Sequence, residues 1–145
     1  MNKLFNQHLF KQVIIGTKSQ SRRALFRNLN LKFKYRAANI DEKKVKKLQN
    51  NKYDAIKIAT EKARHLSSIN KGKIIVTFDT TILFNKKTIY KCETQGCCLE
   101  LLNSFTNRKH YLYTGMVFMI DNKIIQKKLS ETRVMFNNHG KSVIS

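Results

Sequence analysis

Short apolar runs alternate with longer stretches in which apolar residues recur every three or four positions, and this alternation predicts strands and helices in turn. Val13-Ile14-Ile15 is an uninterrupted apolar run that suits a strand covered on both faces, and Gly16 is expected to let the chain turn sharply at its end. The stretch from Arg23 to Leu29 then has the spacing of an amphipathic helix. A second helix is expected to start at Asp54 as N-cap, with Ala55, Ile58, Ala59, Ala63 and Leu66 on one face. Lys73 to Phe78 reads as another buried strand, ending at Asp79. A helix over 94–105 follows, then the apolar stretch Tyr111 to Ile120, a hairpin turn at Asp121-Asn122, and Ile124-Ile125. A last strand is expected around Arg133 to Phe136, left as an exposed edge that invites dimerisation. Together these elements predict an α/β fold with a mixed β-sheet, flanking helices and a cleft at the strand ends. With neither repeats nor a low-complexity linker, residues 1–145 form one domain.

Charge changes this picture less than its size suggests. The 145 residues carry a formal charge of +20 and a pI near 10.2, values that point towards nucleic acid. Yet Lys, Asn and Ile are abundant while Pro and Trp are absent, which resembles the drift of an A+T-rich genome more than a shaped binding face. The densest cluster, Lys43-Lys44-Val45-Lys46-Lys47, reads as a solvated helix surface. The aromatics are not interleaved with the basic clusters, so a specific nucleic-acid partner is not expected. Cys92, Cys97 and Cys98 lack zinc-site spacing, and in a chain with no secretory signal they indicate a reducing cytoplasm. Cys97 and Cys98 share a helical pattern with Leu101, Leu102 and Phe105, so they read as core thiols. No apolar span is long enough for a membrane. His8, His65, His110 and His139 show no metal-ligand spacing.

The candidate chemistry gathers in three places. The loop Gly16-Thr17-Lys18-Ser19-Gln20-Ser21-Arg22-Arg23 lies between a strand and a helix, where free backbone N–H groups bind anions. Its hydroxyls, amine and guanidiniums add donors without a competing negative charge. An ordinary capped loop has the same composition, so the loop by itself leaves both readings open. Asp79 is one of only nine acids and follows a buried strand, either as a ligand-facing carboxylate or as a turn cap. Lys62 falls on the apolar stripe of its helix, where it either snorkels to the edge or reaches inward to a phosphate or to Asp79. Its neighbour Glu61 points elsewhere, into solvent.

In this order the segments resemble the Maf family of nucleoside triphosphate pyrophosphatases. The family's A-S-x-S-P-x-R-R loop is followed position by position by Gly16 to Arg23. The acidic pair Asp41-Glu42, the E-K-A helix at Glu61-Lys62-Ala63, the D-T at Asp79-Thr80 and a turn at Tyr90-Lys91-Cys92 come next. Phe105 to His110 matches L-S-G-R-x-H, Thr114-Gly115 follows, and Thr132 to Phe136 matches T-x-V-x-F. Both family prolines are replaced, by Gln20 and Cys92, and two turn glycines by Tyr90 and Asn107, so looser turns are expected. The family also continues beyond Ser145 with a helix and a D-K-A-G segment, so the chain reads as C-terminally truncated.

The resemblance implies hydrolysis of a nucleoside triphosphate to the monophosphate and pyrophosphate with a divalent cation, magnesium or manganese. Asp79 would be the general base and, with Glu42, a metal ligand. Thr17, Ser19, Arg22, Lys62 and Lys91 would hold the triphosphate, while Ser21 and Thr80 sit at positions tied to base choice. His110 has a role only through the family match. Arg22 to Leu25 and Tyr113 to Gly115 look like the branch acting on 7-methyl-GTP, the favoured substrate; Thr80, Arg108 and His110 look like the dTTP/UTP branch. A non-catalytic relic that only binds nucleotides and a small basic nucleic-acid-binding protein are the other two readings.

Overall fold

A computed structural model of the chain describes residues 12–30, 32–42, 45, 49–89 and 92–137. In chain order the elements are β1 (Val13–Gly16), α1 (Gln20–Asn28), β2 (Lys34–Arg36), α2 (Asp54–Ser68), β3 (Ile74–Phe84), β4 (Lys87–Ile89), α3 (Gln95–Phe105), β5 (Lys109–Ile120) and β6 (Lys123–Met135). They build a six-stranded mixed sheet of order β2-β1-β3-β5-β6, with β4 paired to β3. This is the α/β architecture that the alternating pattern predicts. Among the described residues no helix is long and apolar enough to cross a membrane.

The two faces of the sheet carry different cores because successive strand side chains point opposite ways. On one face Ile14, Ile75, Val117 and Met119 pack against Ala59, Ala63 and Leu66 of α2. On the other, Val13, Ile15 and Val76 pack with Phe26 of α1, Phe33, Tyr35 and Phe78. Two glycines set how closely α2 approaches. A Cβ on Gly16 would lie 2.6 Å from Leu66 Cδ1 and from Thr77 Cγ2, and one on Gly115 would lie 2.6 Å from the Ile56 backbone nitrogen. Gly16 is the last residue of β1 and has no positive φ, so its role is close packing and not the sharp turn expected of it.

Four further expectations are corrected. Asp79 is not at a strand end: β3 continues to Phe84, because β5 pairs with it beyond the point where β1 stops. The β1 register ends at Gly16 opposite Thr77, so Asp79 still lies just past a strand terminus, that of its neighbour. Asp54 is the first residue of α2 and not its N-cap; its buried carboxylate accepts from the Gln49 and Asn51 backbone N–H groups at 3.0 and 3.2 Å, tying down the preceding loop. Ile124 and Arg133 belong to one long strand, β6, which pairs with β5 and forms the exposed edge. Cys97 and Cys98 are exposed, since Phe105 is the residue that α3 buries.

Asn107 does not loosen its turn. Its φ of 57° is the left-handed conformation a glycine would supply, and asparagine tolerates it better than most residues. Asp121 and Asn122, at 45° and 62°, make the tight hairpin between β5 and β6. Tyr90, Lys91, most of the 43–47 cluster, His8, His139 and the stretch 141–145 lie outside the described residues.

Candidate functional site

The loop from Gly16 to Arg23 is built by its own side chains. Ser19 caps α1, its Oγ accepting from the Arg22 backbone N–H at 3.3 Å, and the Ser19 N–H donates to Thr17 Oγ1 at 3.1 Å. Ser21 shares a 2.9 Å hydrogen bond with Ser19 through their hydroxyls. Arg23 donates to the Thr17 carbonyl at 2.9 Å with its guanidinium over the Tyr35 ring, which holds the loop from beneath. Thr17 is buried, and the loop stands at the C-terminal end of β1 beside residues 77–79 of β3.

Across β3 the site divides between the faces. Asp79 shares a face with Thr77, whose hydroxyl donates to the Ala59 carbonyl of α2 at 2.6 Å. From that helix Lys62 reaches inward: its Nζ is 2.6 Å from Asp79 Oδ1 and 2.7 Å from Glu42 Oε1. The inward alternative for the stripe lysine is thus the one observed, while Glu61 turns outward to Arg64. Burial pushes the Asp79 carboxyl above the usual carboxylate range, outweighing the Lys62 ammonium that pulls it down; Glu42 adds to the upward push and Arg22 opposes it.

On the opposite face Arg22 donates to Thr80 Oγ1 at 2.8 Å and lies over Phe78, and Thr80 shares a 2.9 Å hydrogen bond with Thr114. Thr114 and Gly115 stand directly opposite Thr80 and Asp79 in the β3–β5 register. Sequence reasoning missed the roles of Thr114 and Arg23. The T-G pair was visible in the sequence, but its partner strand was not.

Asp79, Lys62 and Glu42 come together, as do Thr17, Ser19, Ser21, Arg22 and Thr80; Lys91 lies outside the described residues. His110 stands apart, roughly 17 Å along β5 from Gly115 at strand spacing. It is buried, stacks on Phe105 with ring centroids 4.1 Å apart and meets Phe136 edge-on. Burial lowers its pKa, so it behaves as a neutral core histidine.

Two carboxylates that converge on one cation are a donor set suited to a hard divalent ion, which often takes one or two carboxylates and completes its shell with water and phosphate oxygens. Among the described residues no group of three or more His, Cys, Asp or Glu could hold a metal without such help.

A family model described as Maf-like protein matches residues 12–145. The chain belongs to the Maf-like family. Its curated relatives include a nucleoside triphosphate pyrophosphatase of Nitrobacter hamburgensis, 25% identical over 92% of this chain and 68% of the relative. A dTTP/UTP pyrophosphatase of Colwellia psychrerythraea is 24% identical over 93% of this chain and 65% of its own length. This Maf-like chain therefore spans about two thirds of the length of the curated relatives it matches. Its fold is shared with the Ham1 protein of Staphylococcus aureus, at a TM-score of 0.52 and 15% identity over 86% of this chain and 70% of that one.

Proposed function

We propose that this Maf-like chain hydrolyses a nucleoside triphosphate to the monophosphate and pyrophosphate. The observation that carries the reading is the convergence of Asp79 and Glu42 on Lys62, beside an anion loop at the end of β1. Asp79 is the general base, taking a proton from the water that attacks the α-phosphorus. Its raised pKa brings it nearer to neutral pH, where a base is more effective. Lys62 moves its hydrogen bonds from the carboxylates to phosphate oxygens and stabilises the developing charge there. Thr17, Ser19 and Arg22 hold the polyphosphate through hydroxyls, backbone N–H groups and a guanidinium. Lys91 is assigned to the same task by the family resemblance. Glu42 and Asp79 would hold magnesium or manganese, whose contribution is to neutralise phosphate charge.

For the base, 7-methyl-GTP is our first choice, on the resemblance of Arg22 to Leu25 and Tyr113 to Gly115 to that branch. Two observations favour dTTP or UTP: Thr80 is fixed between Arg22 and Thr114, and relatives named dTTP/UTP pyrophosphatase match the chain. Ser21 and Thr80 are the positions to vary. The reaction belongs in the cytoplasm.

The deciding experiment is Asp79→Asn, which keeps the shape and removes the base. Pyrophosphate release from 7-methyl-GTP, dTTP and UTP is expected to fall by roughly 10²–10⁴-fold with the fold retained. Equal rates in the two proteins would remove Asp79 from the mechanism. Nucleotide binding with no turnover in the parent would instead make the chain a non-catalytic relic.

A further inference from the structure

The three cysteines expected in the core are at the surface, where they form a cluster that the hydrolytic reading does not use. Cys97 and Cys98 are exposed and Cys92 is half-buried, and the Sγ atoms of Cys97 and Cys92 are 2.6 Å apart. The thiols do not create this approach. Thr94 caps α3, accepting from the Cys97 N–H on its Oγ1 at 3.2 Å and from the Cys98 N–H on its carbonyl at 3.1 Å. That cap fixes the Cys97 backbone in the first turn of α3, with the Cys92 sulfur beside it. The hydrogen bond with Cys97, then burial and a hydrogen bond with Cys98, push the Cys92 thiol up to about 12.

We propose that Cys92 and Cys97 are a dithiol site that a peroxide closes to an intramolecular disulfide. Cys97, the exposed member, attacks one oxygen of the peroxide. An S–O bond forms, the O–O bond breaks, and the departing hydroxide takes the thiol proton to leave as water. The sulfur of Cys92 then displaces hydroxide from the Cys97 sulfenic acid, the S–S bond forms, and the Cys92 proton leaves in a second water. Two thiols have been oxidised by two electrons and one peroxide reduced. Cys98 follows Cys97 on the helix, and adjacent helical positions do not face each other, so a Cys97–Cys98 bond is disfavoured. In a reducing compartment such a pair is open at rest and closes transiently, the pattern of a redox-responsive site.

The test treats the full chain with hydrogen peroxide in native buffer, alkylates the remaining thiols and maps the products by mass spectrometry. The expected result is one alkylated residue, Cys98, a cross-linked peptide joining Cys92 to Cys97, and full recovery of three thiols with dithiothreitol. Cys98→Ser is expected to close as the parent does; Cys97→Ser is expected to stop closure altogether. The proposal is overturned if all three thiols stay reactive, if the bond joins Cys98 or a second chain, or if Cys97 proceeds to the sulfinic acid. Because the readout is the state of the sulfurs, it stands or falls independently of nucleotide turnover.

Discussion

The helices α2 and α3 are both amphipathic in sequence, yet they relate to the sheet in opposite ways. α2 buries eight of its residues, from Asp54 at its first turn to Ser67 at its last, and lies against β3 and β5 along its length. α3 buries only Phe105, which is clamped between Phe84, His110 and Phe136. The difference lies in what faces each helix. Ala55, Ala59 and Ala63 present small side chains to a sheet that answers with Gly16 and Gly115, so backbones approach closely and little can shift. α3 has a single anchor worth roughly 1.5–3 kcal/mol, and its other turns are free to meet solvent. A half-buried ammonium held against Asp79 belongs on the first kind of helix; surface thiol chemistry belongs on the second.

The largest break in that contrast should come from Gly115→Ala. Its new Cβ would press on the Ala55 and Ile56 backbone, which no side-chain rotation can relieve, at a cost of about 1–3 kcal/mol. Thermal melting should fall, and turnover should fall with it as α2 carries Lys62 away from Asp79. An unchanged melting temperature would mean that the helix does not sit so close.

Lys62→Met sharpens the contrast within α2. Methionine packs well on the stripe, so the fold should hold while nucleotide binding weakens on the order of tenfold or more, since charge-assisted contacts to phosphate are lost. The same change removes the cation that holds the Asp79 pKa down, so the acid limb of the rate profile should move to higher pH. Calorimetry and a pH–rate series check both parts; unchanged affinity with a limb that does not move would take Lys62 out of the site.

The smallest effect is expected on α3, where Gly96 sits in the first turn and a Cβ added there would meet nothing within 4 Å. Gly96→Ala should therefore raise stability by roughly 0.4–1 kcal/mol, by restricting the unfolded chain. A loss of stability in denaturant titration would show that α3 packs more tightly than its single anchor implies.

The same contrast explains what could be read in the sequence. Lys62 was legible because a charge on an otherwise apolar stripe breaks a pattern, and Asp79 because it follows six strand-forming residues in a chain with few acids. Glu42 had no such local signal and entered only through the family resemblance. The length of β3 was hidden because its middle, from Asp79 to Thr81, is polar and is held in the sheet by β5, more than thirty residues away. Thr114 was hidden for the same reason, as cross-strand register is not a local property. Cys97 and Cys98 misled because helical spacing marks a face without saying whether anything covers it.

The order of strands also has a consequence in time. β5 and β6 are joined by a two-residue turn, so their hairpin closes a short loop and can form on its own schedule. β1 must find β3 across roughly sixty intervening residues, a slower and entropically dearer search. The Gly16–Arg23 loop and Asp79 lie on the two sides of that junction. The crevice thus rests on the longest-range strand pairing in the sheet, whereas the β5–β6 hairpin needs only its two-residue turn.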